Sequence, residues 1–337
     1  MQQGRCGSPG NAETDCAQRL GAEKSMTTIQ STGVPAVIES KPTVVPVHLR
    51  PLKRDATGNI KITWADLDWT NVIGIGSMHL ACLAAPFFFA WSSLGIAALF
   101  WWICGGLGVC LCYHRLLTHR SFKTYKPVEY ILAFIGTSNW QGGPVQWVGT
   151  HRLHHKHSDE EDDPHSPRHG FNWAHVLWCL CKEHGSMRAV DAAKDLQRDK
   201  VHAFINKHHY LSQIVIAAVL GAAGWMVGGW WLATSWVIWG VAVRIVFTYH
   251  ATWFVNSAAH TWGYQTHKTG DDSRNNWWVS ILSFGEGWHN NHHAHQRAAA
   301  HGRAWWEFDP TYLTIKGMQL VGLAWDVVPA GPSHDHD

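Results

Sequence analysis

Residues 72–112 read VIGIGSMHLACLAAPFFFAWSSLGIAALFWWICGGLGVCLC, an apolar stretch interrupted only near Ala90-Trp91-Ser92-Ser93-Leu94-Gly95. A helix needs about 20 residues to cross the hydrocarbon of a bilayer, so the run has the length of two crossings joined by a turn. A second stretch, Tyr210 to Asn256, breaks near Gly228-Gly229 and Thr234-Ser235 and gives another hairpin by the same arithmetic. The sequence thus predicts an all-α membrane protein with four transmembrane helices in two hairpins, spanning about 72–90, 94–113, 210–232 and 235–256. Arg244 and His250 fall inside the last span and are expected to face the bundle interior, because lipid solvates neither. Val128 to Trp140 is apolar but too short to cross.

Working outward, residues 1–60 are rich in Gly, Ser, Thr and Pro without periodicity and read as a disordered or loosely attached leader. They lack the basic start, apolar stretch and cleavage site of a secretory signal, and Met26 offers an alternative start. Residues 61–328 form the membrane domain, and 329–337 are a tail. The 22 Trp are in excess, and Trp64, Trp69, Trp91, Trp225, Trp230, Trp231, Trp236 and Trp239 flank the apolar runs, where an amphipathic ring suits the membrane boundary. The two hairpin turns carry no Lys or Arg, whereas residues 114–207 carry thirteen. Positive charge marks the cytoplasmic side, so both termini and every polar segment are expected there. A formal charge of +2, with no basic stripe interleaved with aromatics, gives no sign of a nucleic-acid partner. Of the eight cysteines, four lie in apolar runs and Cys179-Leu180-Cys181 lacks a zinc-type spacing, so no disulfide framework is expected.

Histidine carries the chemistry. Four polar stretches stand just outside the spans: His114 and His119, five apart; His151, His154 and His155; Asn256 and His260, four apart; and His289, His292 and His293. On a helix, positions i, i+3 and i+4 share a face, so each triple is expected to aim its imidazoles at a common point. Neutral imidazole is a good ligand for transition metals. Nine histidines exceed the capacity of one ion and suit a dimetal site in a cytoplasmic helical cap. Ligating imidazoles need hydrogen-bond partners that fix their tautomers. Asp159, Asp163 and Glu286 are the nearest carboxylates, a solvated loop being the alternative for the acidic run. The remaining histidines, including His165, His267, His295 and His301, lack the paired spacing and are read as surface or supporting residues.

At these residues the chain resembles the membrane fatty-acid desaturase superfamily, of the stearoyl or palmitoyl delta-9 type. The likeness runs from Trp64 to Val328 and is carried by HRLLTHRSFK, HRLHHKHSDEEDDPHSP, NSAAHTWG and GEGWHNNHHAH. It implies an O2-dependent enzyme in which two Fe ions serve the insertion of a cis double bond into a fatty-acyl chain. Carried over position by position, the ligands are His114, His119, His151, His154, His155, His260, His289, His292 and His293, with Asn256 acting through a water. The acyl group is carried by coenzyme A, acyl carrier protein or a lipid, and regioselectivity requires that the chain stop at a fixed depth. Trp101 and Trp102, about 18–20 Å before His114 along a helix, are candidates for closing the tunnel, with ordinary packing as the alternative. No heme module or iron–sulfur cysteine set is visible, so the electrons are expected from a separate carrier, ferredoxin or cytochrome b5. Lys123, Lys126, Arg152, Lys156 and Arg168 form a basic surface suited to an acidic donor. Two rivals stand: an alkane or lipid hydroxylase of the same superfamily, and a His-rich divalent-metal transporter, whose ligands would lie within the spans.

Overall fold

The computed structural model describes residues 52–55, 60–185 and 187–330; most of the leader and the tail residues His334 and His336 lie outside them. The described chain is helical, with only isolated bridges in place of strands. Helix α1 (Trp69–Cys82) starts where Asp68 accepts from the amides of Thr70 and Asn71, and Pro86 ends the run by forcing the tight turn Ala85–Phe88. Helix α2 (Trp91–Phe100) continues without a break into Trp101–Thr118, which is wound with i→i+5 hydrogen bonds. Helices α3 (Lys126–Thr137) and α4 (Pro144–His157) follow. The short α5 (Trp178–Leu180), α6 (Ala189–Ala192) and α7 (Lys194–Arg198) come next, then α8 (Lys200–Lys207).

The second apolar run forms α9 (Leu211–Val237), an i→i+5 stretch at Ile238–Val243, and α10 (Arg244–Ser257). It doubles back within α9. Gly228 and Gly229 leave helical geometry, and Gly229 adopts φ 71°, a conformation that costs glycine little. Beyond that point a Cβ on Gly224 would meet Ala233, one on Gly221 would meet Val237, and one on Gly240 would meet Leu220, so the two arms lie antiparallel. The reversal sits at the expected glycine pair; Thr234-Ser235 stays helical, with Thr234 Oγ1 donating back to the Trp230 carbonyl. Likewise the first turn falls at 83–90, earlier than the predicted boundary, because Pro86 rather than the Ser pair decides it. Among the described residues, two helices, Trp91–Thr118 and Leu211–His260, are long and apolar enough to cross a membrane.

Two polar groups inside the second run are accommodated by neighbours. Arg244 is buried, and its guanidinium donates to the carbonyls of Gly240 and Ser138 and to the Gln213 side chain. His250 sits between His79 of α1 and His175, with nitrogen separations of 3.3 and 3.0 Å. The cap is closed by α11 (Trp277–Leu282), α12 (His289–Ala294) and α13 (Pro310–Leu320).

One close approach positions the first histidine pair. The Gly108 and Gly136 backbones touch, and the Tyr113 hydroxyl donates to the Ala133 carbonyl at 3.1 Å, fixing α3 against the residue beside His114. A Cβ on Gly108 would lie 2.6 Å from the Gly136 Cα, where only backbone can yield. Overpacking of this kind costs about 1–3 kcal/mol. Gly108→Ala is therefore expected to lower the melting temperature of the detergent-purified protein; an unchanged melting curve would show that the contact is loose.

Candidate metal centre

The nine histidines come together in two groups. Donor nitrogens of His114, His119, His151, His155 and His292 lie within 4.8 Å of one another, and so do those of His154, His260, His289 and His293. The groups abut, since the rings of His155 and His293 are 4.6 Å apart and those of His154 and His155 5.4 Å.

This partition corrects the expectation that each triple converges on a single point. In α4, His151 and His155 join the five-membered group while His154 joins the four-membered one. In α12 the roles exchange: His289 and His293 enter the four-membered group and His292 crosses over. The reason is angular. At about 100° per residue, i+4 lies about 40° to one side of position i and i+3 about 60° to the other, so two neighbouring foci divide the triple.

His114 and His119 need a different explanation. Five residues along an α-helix leave side chains about 140° apart, yet these rings are 4.7 Å apart. The i→i+5 winding of this segment stacks residues five apart, and the amide of His119 donates to the carbonyl of His114 at 3.1 Å. The His-x4-His spacing matches the π turn it sits on.

Carboxylates hold the outer nitrogens. His154 Nδ1 lies 2.9 Å from Asp163, His260 Nδ1 3.2 Å from Asp159, His293 Nδ1 2.6 Å from Asp271, and His114 Nδ1 2.5 Å from Glu286. Asp159, Asp163 and Glu286 are buried, which sets aside the solvated-loop alternative for Asp159 and Asp163. Burial opposes ionisation of Asp163, but His154 and His165 outweigh it and lower its pKa; the same balance leaves His154 raised above its ordinary value. Burial, reinforced by neighbouring imidazoles, pushes His151, His155, His289 and His292 well below the usual histidine range. They are neutral at pH 7, the form that binds metal.

The inner nitrogens supply the test of fit. His154 and His293 each present Nδ1 to a carboxylate, so each Nε2 carries a lone pair, and the two Nε2 atoms face each other at 3.3 Å. Nitrogen lone pairs repel at that distance unless a cation or proton lies between them. In the other group, Nε2 of His292 is 3.1 Å from that of His114 and 2.9 Å from that of His155, which is 3.0 Å from that of His151. Buried imidazole sets of this kind fit transition metals.

Asp271 escaped the sequence reading, while His301 and His165, read as surface or supporting residues, prove to be supporting ones. Asp271 lies in Thr269-Gly270-Asp271-Asp272-Ser273, far from any triple, and only its place between His260 and His289 hinted at it. His301 is fully buried, with its ring 4.3 Å from that of His292 and Nδ1 3.1 Å from Glu286. His165, lowered to about 3 by burial and the nearby His154, packs 4.4 Å from the His154 ring. Of the other expected residues, half-buried Asn256 borders a cleft of about 1810 Å³ together with His151, Trp147 and Trp253. In the wall of that cleft Gln141 donates to Thr252 at 3.0 Å and accepts from Trp147 at 3.1 Å. Trp101 packs on Phe284 and Phe247, and Trp102 is exposed on its helix; neither borders the cleft.

The fatty acid desaturase family pattern matches residues 85–319. The sn-1 stearoyl-lipid 9-desaturase of Anabaena variabilis is 46% identical over 267 residues, covering 79% of this chain and 95% of the relative. The sn-2 palmitoyl-lipid 9-desaturase of Nostoc sp. is 43% identical over 277 residues, 80% and 94% of the two chains. An acyl-CoA 5-desaturase of Anemone leveillei is 42% identical over 273 residues, 79% of this chain and 83% of that one. Matched over most of its length, and carrying two abutting groups of buried histidines, the chain belongs to the fatty acid desaturase family.

Proposed function

We propose that this desaturase inserts a cis double bond at the delta-9 position of a saturated stearoyl or palmitoyl chain esterified in a membrane lipid. The balance is one CH2–CH2 unit, one O2, two electrons and two protons giving one CH=CH unit and two waters. Similarity to the two acyl-lipid 9-desaturases favours a lipid carrier over coenzyme A or acyl carrier protein. The observation that carries the metal reading is the pair of opposed Nε2 atoms of His154 and His293. Removing hydrogen from an unactivated methylene lies beyond side-chain acids and bases, and a redox-active metal pair, two Fe ions, supplies that chemistry when bound.

The chain's own residues have distinct parts. His114, His119, His151, His155 and His292 hold one ion; His154, His260, His289 and His293 hold the other, with Asn256, four residues before His260, reaching it through a water. The cleft bordered by Trp147, His151, Trp253 and Asn256 receives the acyl chain beside the five-histidine group, and the Gln141–Thr252–Trp147 hydrogen bonds keep its wall rigid. Beyond the cleft, which neither Trp101 nor Trp102 borders, Trp101, wedged against Phe284 two residues before Glu286, is the proposed stop for the methyl end of the chain. The two hairpins supply four spans, both turns face away from the cytoplasm, and the cap lies on the cytoplasmic side with both termini. Electrons come from ferredoxin or cytochrome b5 docking at the basic residues Lys123, Lys126, Arg152, Lys156 and Arg168, of which all but Lys156 also pair with carboxylates of this chain. Ligands gathered at one end of the bundle, rather than along a path through it, disfavour a transporter.

Expression in a host lacking delta-9 desaturase activity, with lipids resolved by sn position and double bonds located by mass spectrometry, is expected to yield cis-9 monoenes. Hydroxylated chains would replace this reading with the hydroxylase. Purified protein is expected to hold two iron ions, and His289→Ala about one, with activity abolished; a variant retaining both ions would remove His289 from the ligand set. Trp101→Ala is expected to move the double bond relative to the carboxyl end or to admit longer chains. An unchanged product profile for both Trp101→Ala and Trp102→Ala would leave the depth stop elsewhere.

A further inference from the structure

The two histidine groups differ in what stands behind them. In the four-histidine group three of the four outer nitrogens face carboxylates: His154 on Asp163, His260 on Asp159 and His293 on Asp271. In the five-histidine group only His114 has one, Glu286. That carboxylate is also divided. Its Oε2 is shared with His301 Nδ1 at 3.1 Å, while Oε1 accepts from two nitrogens of buried Arg115 at 3.2 and 3.0 Å. Among the described residues, the buried Nδ1 atoms of His155 and His292 have no hydrogen-bond partner, and neither has His119 Nε2. In the other group the same holds only for His289 Nδ1.

A carboxylate on the outer nitrogen makes an imidazole a stronger donor, and losing one such partner typically costs 10–100-fold in metal affinity. Three carboxylates therefore act on one focus. At the other, the single carboxylate is offset by a guanidinium, and the fifth imidazole adds a donor but no charge. Building on the dimetal reading above, we propose that the centre is intrinsically unequal: the Asp159–Asp163–Asp271 shell makes the four-histidine site the tight one, and the five-histidine site beside the cleft is the labile one. The four-histidine ion is then the structural anchor of the cap. The other exchanges with the medium, and the enzyme's loss of iron proceeds through it.

The test reads iron release rather than turnover. Full-length protein in detergent is loaded anaerobically with Fe(II) to two ions per chain and challenged with a ferrous chelator. Wild type is expected to release iron in two phases of equal amplitude, with rate constants at least tenfold apart. Asp271→Asn, in a partly exposed loop, and independently Asp163→Asn should speed the slow phase by about 10–100-fold and leave the fast phase unmoved. Glu286→Gln should speed only the fast phase. A single release rate in the wild type, or acceleration of the fast phase by either Asp variant, overturns the proposal while leaving a dimetal centre intact. Folded protein that never takes up a second ion defeats the dimetal reading itself and the proposal with it.

Discussion

Imidazoles packed nitrogen to nitrogen inside a buried cap are the constraint around which this molecule is built. Nε2 atoms approach one another at 2.9–3.3 Å in both groups, and for His154 and His293, whose Nδ1 atoms face carboxylates, that approach sets lone pair against lone pair. Other parts of the fold serve to hold the opposition. Arg115 ties Glu286 to Asp309, and Asp309 also caps α13 and accepts from the amide of His301. Asn291, within α12, donates to Glu307 and to the His301 carbonyl. Each ligand helix is thereby pinned within a residue or two of its histidines, as a centre needing tight geometric tolerance requires.

The arrangement has a hidden two-fold logic. Helices α4 and α12 each give two histidines, spaced i and i+4, to one group and a third, at i+3, to the other, with the roles exchanged. The groups differ only in their additional contributors: the His114–His119 pair on one side and His260 on the other. Asn256 stands one helical turn before His260, at the place where a second contributor is missing. The i→i+5 winding that brings His119 under His114 makes one group five-membered, so an unusual backbone geometry, rather than an additional helix, brings in the ninth histidine.

The sequence disclosed the apolar runs, the glycine reversal and the nine histidines that come together in the cap, because each rests on local spacing. Hydrophobic length fixes a span and i, i+3, i+4 fixes a helix face. What escaped it is non-local. Nothing about the order of His151, His154 and His155 says that one of them serves a second focus; that depends on where α12 lies. Asp271 and His301 sit 22 and 8 residues from His293 in polar loops of ordinary composition, and only the closing of the cap brings Asp271 to His293 Nδ1 and His301 to Glu286. The first turn lies at 83–90 rather than near Ala90–Gly95, because Pro86, lacking an amide hydrogen, ends the helix there.

Charge balance ties the two levels together. Four carboxylates contact ligand imidazoles: Asp159, Asp163, Asp271 and Glu286. Arg115 bridges Asp309 and Glu286, so Glu286 is offset by a guanidinium while Asp159, Asp163 and Asp271 face imidazoles. Unpaired buried charge is costly, and cations held by the imidazoles would offset it. Metal binding and folding are linked in a cap of this kind, and Asp163 raises the pKa of the adjoining His154 against the effect of burial. The placement of the four carboxylates is uneven, three beside the four-histidine group and one beside the five-histidine group. That asymmetry gives the two groups different electrostatic surroundings.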